Sequence, residues 1–288
     1  MKALSFGEIL WDVYPAERFI GGAPFNFAAH LARLGAEVCM LSAVGNDPLG
    51  VETRAKLHEM GVNDQFVATV ADKPTGQCLV TLRDHGVPRY NLLADVAYDY
   101  ISADGCDDGF DLLYFGSLAL RSGQNRRELQ RLLSAGQFAE VFVDVNIRPP
   151  FYTKETVAFC LENATILKIS AEELPVVLEQ LDMNTLGSDE AIAKGLSEQY
   201  ENLKLILLTF GAEGASVYDC RRGCAYACPA HMVEVASTVG AGDSFSAAFV
   251  WQYLSGESMT QCLDYASRLA AFVVSKAEAV PEYSPQEI

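Results

Sequence analysis

Apolar runs of the length of a buried strand alternate along this chain with stretches of helical periodicity. The alternation is typical of a mostly parallel β-sheet with helices on its faces. The predicted strands are Ala3–Phe6, Val38–Val44, Leu112–Phe115, Val141–Val145, Ile166–Ile169 and Leu205–Thr209. The predicted helices are Pro24–Leu34, Val51–Met60, Asn125–Ala135, Glu155–Leu161, Glu172–Gln180, Asp189–Gln199, Asp243–Leu254 and Met259–Lys276. The sequence therefore predicts a chain of the α/β class.

Two stretches depart from this rhythm. Gln77–Arg83 and Pro88–Leu93 are predicted to be strands around a turn at Asp84-His85-Gly86, and Asp12–Ile20 could supply another strand. Together they indicate a small β-sheet that projects from the main domain. Because so small a sheet is marginal by itself, we expect a substrate, the main domain or a second subunit to cover it.

Charge and length limit the classes of partner. The 288 residues include 38 acidic and 21 basic side chains, for a formal charge of −17. Nucleic acids and anionic membranes both require a clustered basic surface, so this composition disfavours them as partners. No apolar run reaches the roughly 18 residues of a membrane span. The N-terminal residues are typical of a buried strand rather than of a signal peptide, and we expect a cytoplasmic protein.

Cysteine spacing gives a weak metal signal. A second predicted hairpin, Ala215–Asp219 with Cys224–Cys228, follows the last predicted parallel strand. Cys220, Cys224 and Cys228 are regularly spaced there, but no CxxC pair and no neighbouring pair of histidines accompanies them. The pattern favours ordinary packing over a zinc site.

The segment before the penultimate helix carries the most chemistry. An apolar stretch leads into Gly240-Ala241-Gly242, and a helical pattern follows. Small residues let backbone N–H groups approach a ligand, and at a helix N-terminus those groups favour negative charge. The turn is suited to a transferring phosphoryl group. Asp243, in the first helical turn, could accept the proton of an attacking hydroxyl. Taken alone, the short motif favours an ordinary N-terminal acid instead.

The flanking residues decide between these readings. Thr-Val-Gly-Ala-Gly-Asp-Ser-Phe at 238–245 resembles the C-terminal signature of the ribokinase-like (PfkB) sugar kinases. Residues 21–28, 31–35 and 43–50 resemble the N-terminal signature of the same family. The resemblance spans essentially the whole chain. It implies a single ribokinase-like kinase domain over 1–288, which is a three-layer α/β/α sandwich with a mostly parallel central sheet. It also implies a small β-sheet lid formed by about 12–20 and 73–100.

Among these kinases the chain is most similar to fructokinases, through residues 7–12, 144–150 and 168–174. The resemblance implies ATP-dependent phosphorylation of a sugar hydroxyl, with fructose as the first candidate. A kinase for 2-keto-3-deoxygluconate, ribose, a nucleoside or another polyol stays open, as does a non-catalytic sugar or nucleotide sensor.

The resemblance also assigns roles to matching positions. Asp243 would be the base, with Gly240, Ala241 and Gly242 forming the anion hole. The sugar-pocket residues would be Asp12, Gly22, Asn26 and Arg148. Without the resemblance, Asp12 would be interpreted as a solvated loop acid, Asn26 as a turn or cap residue, and Arg148 as half of a surface salt bridge.

For ATP, the resemblance implies contacts from Lys168 and from a turn containing Thr209, Gly211 and Gly214, which could otherwise be a plain tight turn. The chain has no Walker sequence. Ser267 stands where fructokinases often carry Asn, at the predicted adenine contact. Magnesium would be organised through water by Glu173, in a motif where Ser170 replaces the usual Asn.

One position bears on a further ion. The family usually has an acid immediately before Thr238, and it helps to build a monovalent-cation site; here that position is Ser237. Potassium activation is therefore left open. A homodimer through the β-lid is a further expectation from the family.

Overall fold

The computed structural model describes residues 1–82, 88–106, 109–136, 138–183 and 187–288. Its strands are β1 Lys2–Phe6, β2 Leu10–Val13, β3 Arg18–Gly21, β4 Glu37–Gly45, β5 Asn63–Val70, β6 Gly76–Leu82, β7 Pro88–Leu92, β8 Leu112–Gly116, β9 Glu140–Asp144, β10 Ile166–Ser170, β11 Leu205–Thr209, β12 Ala215–Asp219 and β13 Cys224–Cys228. Its helices are α1 Ala23–Arg33, α2 Pro48–Glu59, α3 Gly123–Ala135, α4 Lys154–Asn163, α5 Leu174–Gln180, α6 Asp189–Gln199, α7 Ala241–Leu254 and α8 Met259–Val274. Short 3-10 helices cover Ala97–Tyr100, Leu118–Arg121, Gly211–Glu213 and Pro285–Glu287.

The larger sheet has the strand order β13-β12-β11-β10-β9-β8-β1-β4-β5. Seven of these strands, β5, β4, β1, β8, β9, β10 and β11, pair in parallel with one another. β12 and β13 extend the sheet as an antiparallel hairpin. This confirms the predicted mostly parallel α/β sheet. Because the carboxyl ends of parallel strands meet at one edge, the loops after β1, β8, β9, β10 and β11 converge where ligands bind in such sheets.

Two hydrophobic cores, one on each face of this sheet, make the fold three-layered. Along β1, Leu4 and Phe6 belong to one core and Ala3 to the other, as the alternation of a strand requires. The first core includes residues of α3 to α6, such as Leu129 and Val157. The second is filled by α1, α7 and α8.

Seven of the described α-helices start in one of two ways, and α5 follows Glu173 without a side-chain cap. Side chains cap α2, α3, α4, α6 and α8; for example, Asp47 accepts a hydrogen bond from the Gly50 amide at 2.8 Å. By contrast, α1 and α7 begin after Gly22 and Gly240, which have positive φ angles and no side-chain cap. The first amides of these two helices therefore lack the side-chain acceptor that caps the other starts.

The small sheet has the order β3-β2-β6-β7, with β2 and β6 parallel and the outer pairs antiparallel. A single strand over Asp12–Ile20 was wrong. The segment is split between β2 and β3 by a turn that the Tyr14 amide closes with a 2.9 Å hydrogen bond to the Glu17 carbonyl, and Pro15 within it favours turn geometry. The predicted turn at Asp84-His85-Gly86 and the last residue of the predicted strand, Arg83, lie outside the described residues.

The edge strand β5 is absent from the sequence-based prediction. Its residues alternate between exposed and partly buried, and only Val67 is fully buried. An edge strand with so few apolar side chains gives a weak hydrophobic signal. Within the described ranges, none of the helices combines the length and apolar composition that crossing a bilayer requires.

Candidate active site

The turn at residues 238–243, here called the phosphate turn, connects an exposed segment to α7. Gly240 has a φ of +80°, and a Cβ atom there would lie 2.5 Å from the carbonyl oxygen of Ala279. Only glycine combines this backbone conformation with so close an approach. The Ser244 amide donates to the Gly240 carbonyl at 2.9 Å, which closes the first helical turn. The amides of Gly242 and Asp243 remain at the positive end of the helix.

A later segment of the chain holds this turn from behind. The ring of His30, on α1, lies 2.9 Å (Nε2) from the Ala279 carbonyl oxygen and 3.0 Å (Nδ1) from the Tyr283 hydroxyl. Burial lowers the pKa of His30 to about 4, so the ring is neutral near pH 7. The phosphate turn, the segment at 279–283 and α1 therefore form one packed unit.

Asp243 lies at the third position of α7 and is partly exposed. Asn26 Nδ2 donates to Asp243 Oδ2 at 2.8 Å, which joins the first turns of α1 and α7. Burial raises the pKa of Asp243, while the Asn26 hydrogen bond and the charges of Lys168 and Arg148 oppose that rise. The carboxylate therefore has one oxygen fixed by a neutral donor and lies in a field of two cations.

Lys168 comes from the centre of the sheet. Its Nζ donates to Asp144 Oδ2 at 2.8 Å, and both side chains are buried. A Cβ on Gly242 would lie 3.4 Å from the same Nζ, so the amine sits directly under the phosphate turn. Burial opposes the charge of Lys168, but the carboxylates of Asp144, Glu173 and Asp243 outweigh it and raise the pKa. The result is a fixed ammonium beside the first amides of α7.

Glu173 ties together the loops after two neighbouring strands. Its Oε1 accepts from the Ile147 amide at 2.7 Å, after β9. Its Oε2 accepts from the Ser170 amide at 3.0 Å and from the Ser170 hydroxyl at 2.9 Å, at the end of β10. Ser170 thus uses its hydroxyl to hold the acid in place. The side chain belongs to the same electrostatic neighbourhood as Asp144 and Lys168.

The predicted sugar-pocket residues, here called the sugar side, come from three elements. Asp12 lies on β2, where burial raises its pKa and the neighbouring Cys78 and Arg148 oppose the rise. Gly22 has a φ of +108°, and a Cβ there would lie 2.6 Å from the Glu8 carbonyl oxygen. Arg148 is exposed, and its backbone carbonyl accepts a 2.7 Å hydrogen bond from the Phe151 amide. Its charge acts on Asp12 and Asp243, so the structure brings these predicted residues together.

Glu8 is a residue that sequence reasoning missed as a member of the site. It follows β1 and is 3% exposed, yet its Oε2 has no hydrogen-bond partner. Burial raises the pKa of Glu8 to about 7, and the charges of Arg148 and Asp243 act on it. A buried carboxyl beside two predicted site residues was detectable only as a polar residue within an apolar run, in Phe6-Gly7-Glu8-Ile9.

The other predicted nucleotide residues lie at the end of β11, in the turn that follows it and on α8. Thr209 ends β11, and Gly211 begins a 3-10 helix with open space around it. Gly214 has a φ of +116°, and a Cβ there would lie 2.2 Å from the Cys228 carbonyl oxygen, so its glycine also serves the hairpin. Ser267 is buried on α8, and its hydroxyl donates to the Pro229 carbonyl at 3.3 Å. An adenine contact from Ser267 stays a prediction.

An exposed apolar segment continues from these residues to the phosphate turn. Met232, Val235 and Val239 are 86%, 62% and 46% exposed. Residues 233–236 line a pocket of about 420 Å³ together with Ser275. This pocket is open and partly apolar, and its lining ends two residues before the phosphate turn.

Comparison with known proteins places this geometry in a family. The sequence profile of the pfkB family carbohydrate kinases matches residues 6–286. A 5-dehydro-2-deoxygluconokinase of Listeria monocytogenes is 24% identical over 303 residues, covering 98% of this chain and 89% of the relative. The probable fructokinase-2 of Arabidopsis thaliana is 26% identical over 310 residues, covering 96% of this chain and 91% of the relative.

A solved structure agrees with this placement. A sugar kinase from Pyrococcus horikoshii in complex with ATP superposes with a TM-score of 0.82 at 25% identity, covering 100% of this chain and 97% of that chain. The uncapped glycine starts of α1 and α7, the two sheets and the match along nearly every residue lead to one assignment. This chain belongs to the pfkB family of carbohydrate kinases.

Proposed function

We propose that the protein transfers the γ-phosphoryl group of ATP to a hydroxyl of a neutral ketose, with fructose as the first substrate to test. The observation that carries this proposal is the carboxylate of Asp243 at the uncapped start of α7, with the Lys168 ammonium beneath the same turn. A base, an anion site and a fixed cation are the groups that phosphoryl transfer to an alcohol needs.

Asp243 would accept the proton of the attacking hydroxyl. The hydrogen bond from Asn26 fixes Oδ2, which leaves Oδ1 as the oxygen for the substrate. Burial makes the carboxylate a stronger base than an exposed aspartate, because desolvation disfavours its charged form. Asn26 thus orients the base without neutralising it.

The phosphate turn would stabilise the charge of the moving phosphoryl group. The amides of Gly242 and Asp243 point along the positive end of α7. Lys168 lies close to Gly242 and is held there by Asp144. Preorganised donors of this kind need no rearrangement during the reaction, which is why they lower the barrier.

The carboxylates near Lys168 fit a hydrated magnesium ion that accompanies ATP. Asp144 Oδ1 is buried without a partner, and Glu173 is fixed beside it. Such carboxylates suit a hard cation that keeps part of its water shell. Magnesium, when bound with ATP, supplies charge neutralisation on the phosphate oxygens.

The charges of the sugar side favour a neutral substrate. Three carboxyls, of Glu8, Asp12 and Asp243, share this region, and Arg148 is the cation that acts on all three. A sugar acid would bring a further carboxylate among them. The substrates named for the two relatives differ in charge, since 5-dehydro-2-deoxygluconate carries a carboxylate and fructose does not. The choice of substrate therefore tests the electrostatics of the sugar side.

We further propose that the small sheet, with the segments 12–20 and 73–100, acts as a lid over the sugar. Asp12 lies on it and reaches the sugar side. Phe19 and Tyr90 are 44% and 55% exposed on the same sheet, and a second copy of the chain is the partner that would cover them.

The test is an ADP-release assay with ATP and magnesium across fructose, ribose, a nucleoside, 2-keto-3-deoxygluconate and 5-dehydro-2-deoxygluconate. We expect the highest kcat/KM with fructose. A higher kcat/KM with either acid would contradict the neutral-ketose proposal. ATP and sugar binding by calorimetry without ADP release from any of them would replace the kinase with a sensor.

A further inference from the structure

Three buried polar atoms without hydrogen-bond partners lie beside the sugar side. They are Glu8 Oε2, Tyr98 Oη and Arg121 Nη1. They come from the loop after β1 and from two separate 3-10 helices. The three groups are close enough to interact electrostatically. Arg121 and Glu8 both act on the pKa of Tyr98, and Tyr98 and Glu8 both act on the pKa of Arg121. We call these three residues the Glu8 cluster.

Arg121 is held rigidly in this cluster. Its Nε and Nη2 donate to the two carboxylate oxygens of Asp99 at 2.7 and 2.9 Å, and Nη2 also donates to the Leu93 carbonyl at 2.8 Å. The guanidinium lies 4.8 Å from the ring centre of Tyr98 and 4.6 Å from that of Phe151. A guanidinium packed against two aromatic rings and hydrogen-bonded along one edge leaves Nη1 as a donor of set direction.

Glu8 connects the cluster to the candidate active site. A Cβ on Gly22 would lie 3.3 Å from Glu8 Cγ, so the glycine leaves room for this side chain. Asp243 and Arg148 both act on its charge. The acid thus stands between the predicted base and the Tyr98–Arg121 pair.

A purely structural role does not account for the cluster. Buried polar groups are almost always paired, and each unpaired one costs about 1–3 kcal/mol. Asp99 accepts hydrogen bonds from Nε and Nη2 of Arg121, as expected for a pair with a structural role, whereas Nη1 has no such partner. Free acceptor and donor atoms around one site match the mixed donor and acceptor character of a hydroxyl group.

We propose that Glu8, Tyr98 and Arg121 form a specificity subsite that binds a hydroxyl of the sugar remote from the phosphorylated one. The inference deepens the proposed function and rests on it. Glu8 and Tyr98 would accept or donate, and Arg121 would donate, to that hydroxyl. A sugar lacking it would leave the cluster unpaired, which is how buried polar groups reject wrong substrates.

The test compares wild type with E8Q and Y98F, using ADP release with the best sugar of the panel and with its series of monodeoxy analogues. The matched control is E140Q. Glu140 is a buried acid that pairs with Lys204, and it begins β9, at the edge of the sheet away from the candidate active site. We expect E8Q to raise the sugar KM at least tenfold and Y98F about threefold. The KM for ATP should stay within twofold in both, and E140Q should leave the sugar KM unchanged.

The analogue series separates binding from folding. Wild type should discriminate against one deoxy position at least tenfold, and E8Q should lose most of that discrimination. An unchanged sugar KM in E8Q, or equal losses for sugar and ATP, overturns the subsite while leaving an active wild type and the proposed function intact. A wild type that phosphorylates no sugar overturns the proposed function and the subsite together.

Discussion

In the proposed function, the phosphate turn and the sugar side would recognise their ligands with different parts of the polypeptide. The phosphate turn uses backbone amides, freed by Gly240 and supported from below by Lys168. The sugar side uses carboxyl, amide and guanidinium groups from segments as distant as Glu8, Asn26 and Arg148. A phosphate is the same in every kinase reaction, whereas each sugar presents its own hydroxyls. A short sequence motif is therefore enough to form a phosphate site, whereas a sugar site requires side chains from several distant segments.

The largest expected effect tests the residue that joins the two regions. Asp243→Asn keeps the size of the side chain and an oxygen that can accept from Asn26, but it removes the base. We therefore expect kcat to fall about 10³-fold. Calorimetry should show ATP binding within a factor of about three. A variant with kcat within tenfold of wild type would remove Asp243 from the role of base.

The next effect tests the backbone of the phosphate turn. Gly240→Ala places a Cβ 2.5 Å from the Ala279 carbonyl oxygen at a φ of +80°, so the turn must move. We expect kcat to fall about 100-fold, the scale of losing an oxyanion donor.

The matched control for this change is Gly256→Ala, which has a similar φ of +88° but no atom within 4 Å of the added Cβ. It should cost only about 1 kcal/mol of stability, from the left-handed backbone, with kcat unchanged. Equal losses of kcat in the two variants would show that positive φ alone, and not the position of the turn, is responsible.

The smallest effect concerns Glu8, next to the sugar side, and is measured as the dependence of the free energy of unfolding on pH. The pKa of Glu8 is raised from 4.5 to about 7 in the folded protein, so its protonated form stabilises the fold at low pH. That stability is lost as pH rises through 7. Glu8→Gln avoids this loss, so its stability relative to wild type should grow by about 2 kcal/mol between pH 5.5 and 8.

Urea unfolding of both proteins across that range measures the difference, and the titrations of Asp12 and Asp243 cancel because both proteins carry them. The charges facing Glu8 are those of Arg148, Asp243 and Arg121, with Tyr98 alongside, and they too are common to both. A pH-independent difference would show that Glu8 ionises as an ordinary exposed acid does.

Sequence predicted the fold well where apolar periodicity is strong. The parallel strands of the central sheet and the helices differ from prediction by a few residues at their ends, as at Val51–Met60 against Pro48–Glu59 for α2. There the capping Asp47 and the first-turn Pro48 set a start that periodicity does not detect. The edge strand β5 was missed because an exposed strand carries few apolar residues. The segment 12–20 was predicted as one strand, but the turn that contains Pro15 divides it between β2 and β3.

The candidate active site also contains one part that sequence predicted and one part that it missed. The start of α7 after Gly240 could be predicted from sequence, because small residues followed by helical periodicity mark a helix N-terminus. Its role in binding phosphate stays a prediction. Glu8, Tyr98 and Arg121 could not, because no local pattern distinguishes a buried unpaired atom from a buried paired one. The partner of Asp243, Asn26, was predicted as a sugar ligand, and the structure shows a hydrogen bond between them across 217 positions.

The contact between Gly240 and Ala279 has a consequence for the order in which the protein becomes active during synthesis. Both sheets are complete once Cys228 has emerged from the ribosome, yet the segment that backs the phosphate turn lies some fifty residues further on. A nascent chain can thus contain all the residues of its described strands and of α7 and α8 and still lack the support that positions the phosphate turn. Competence to use ATP would be acquired only with the last residues of the chain to be synthesised.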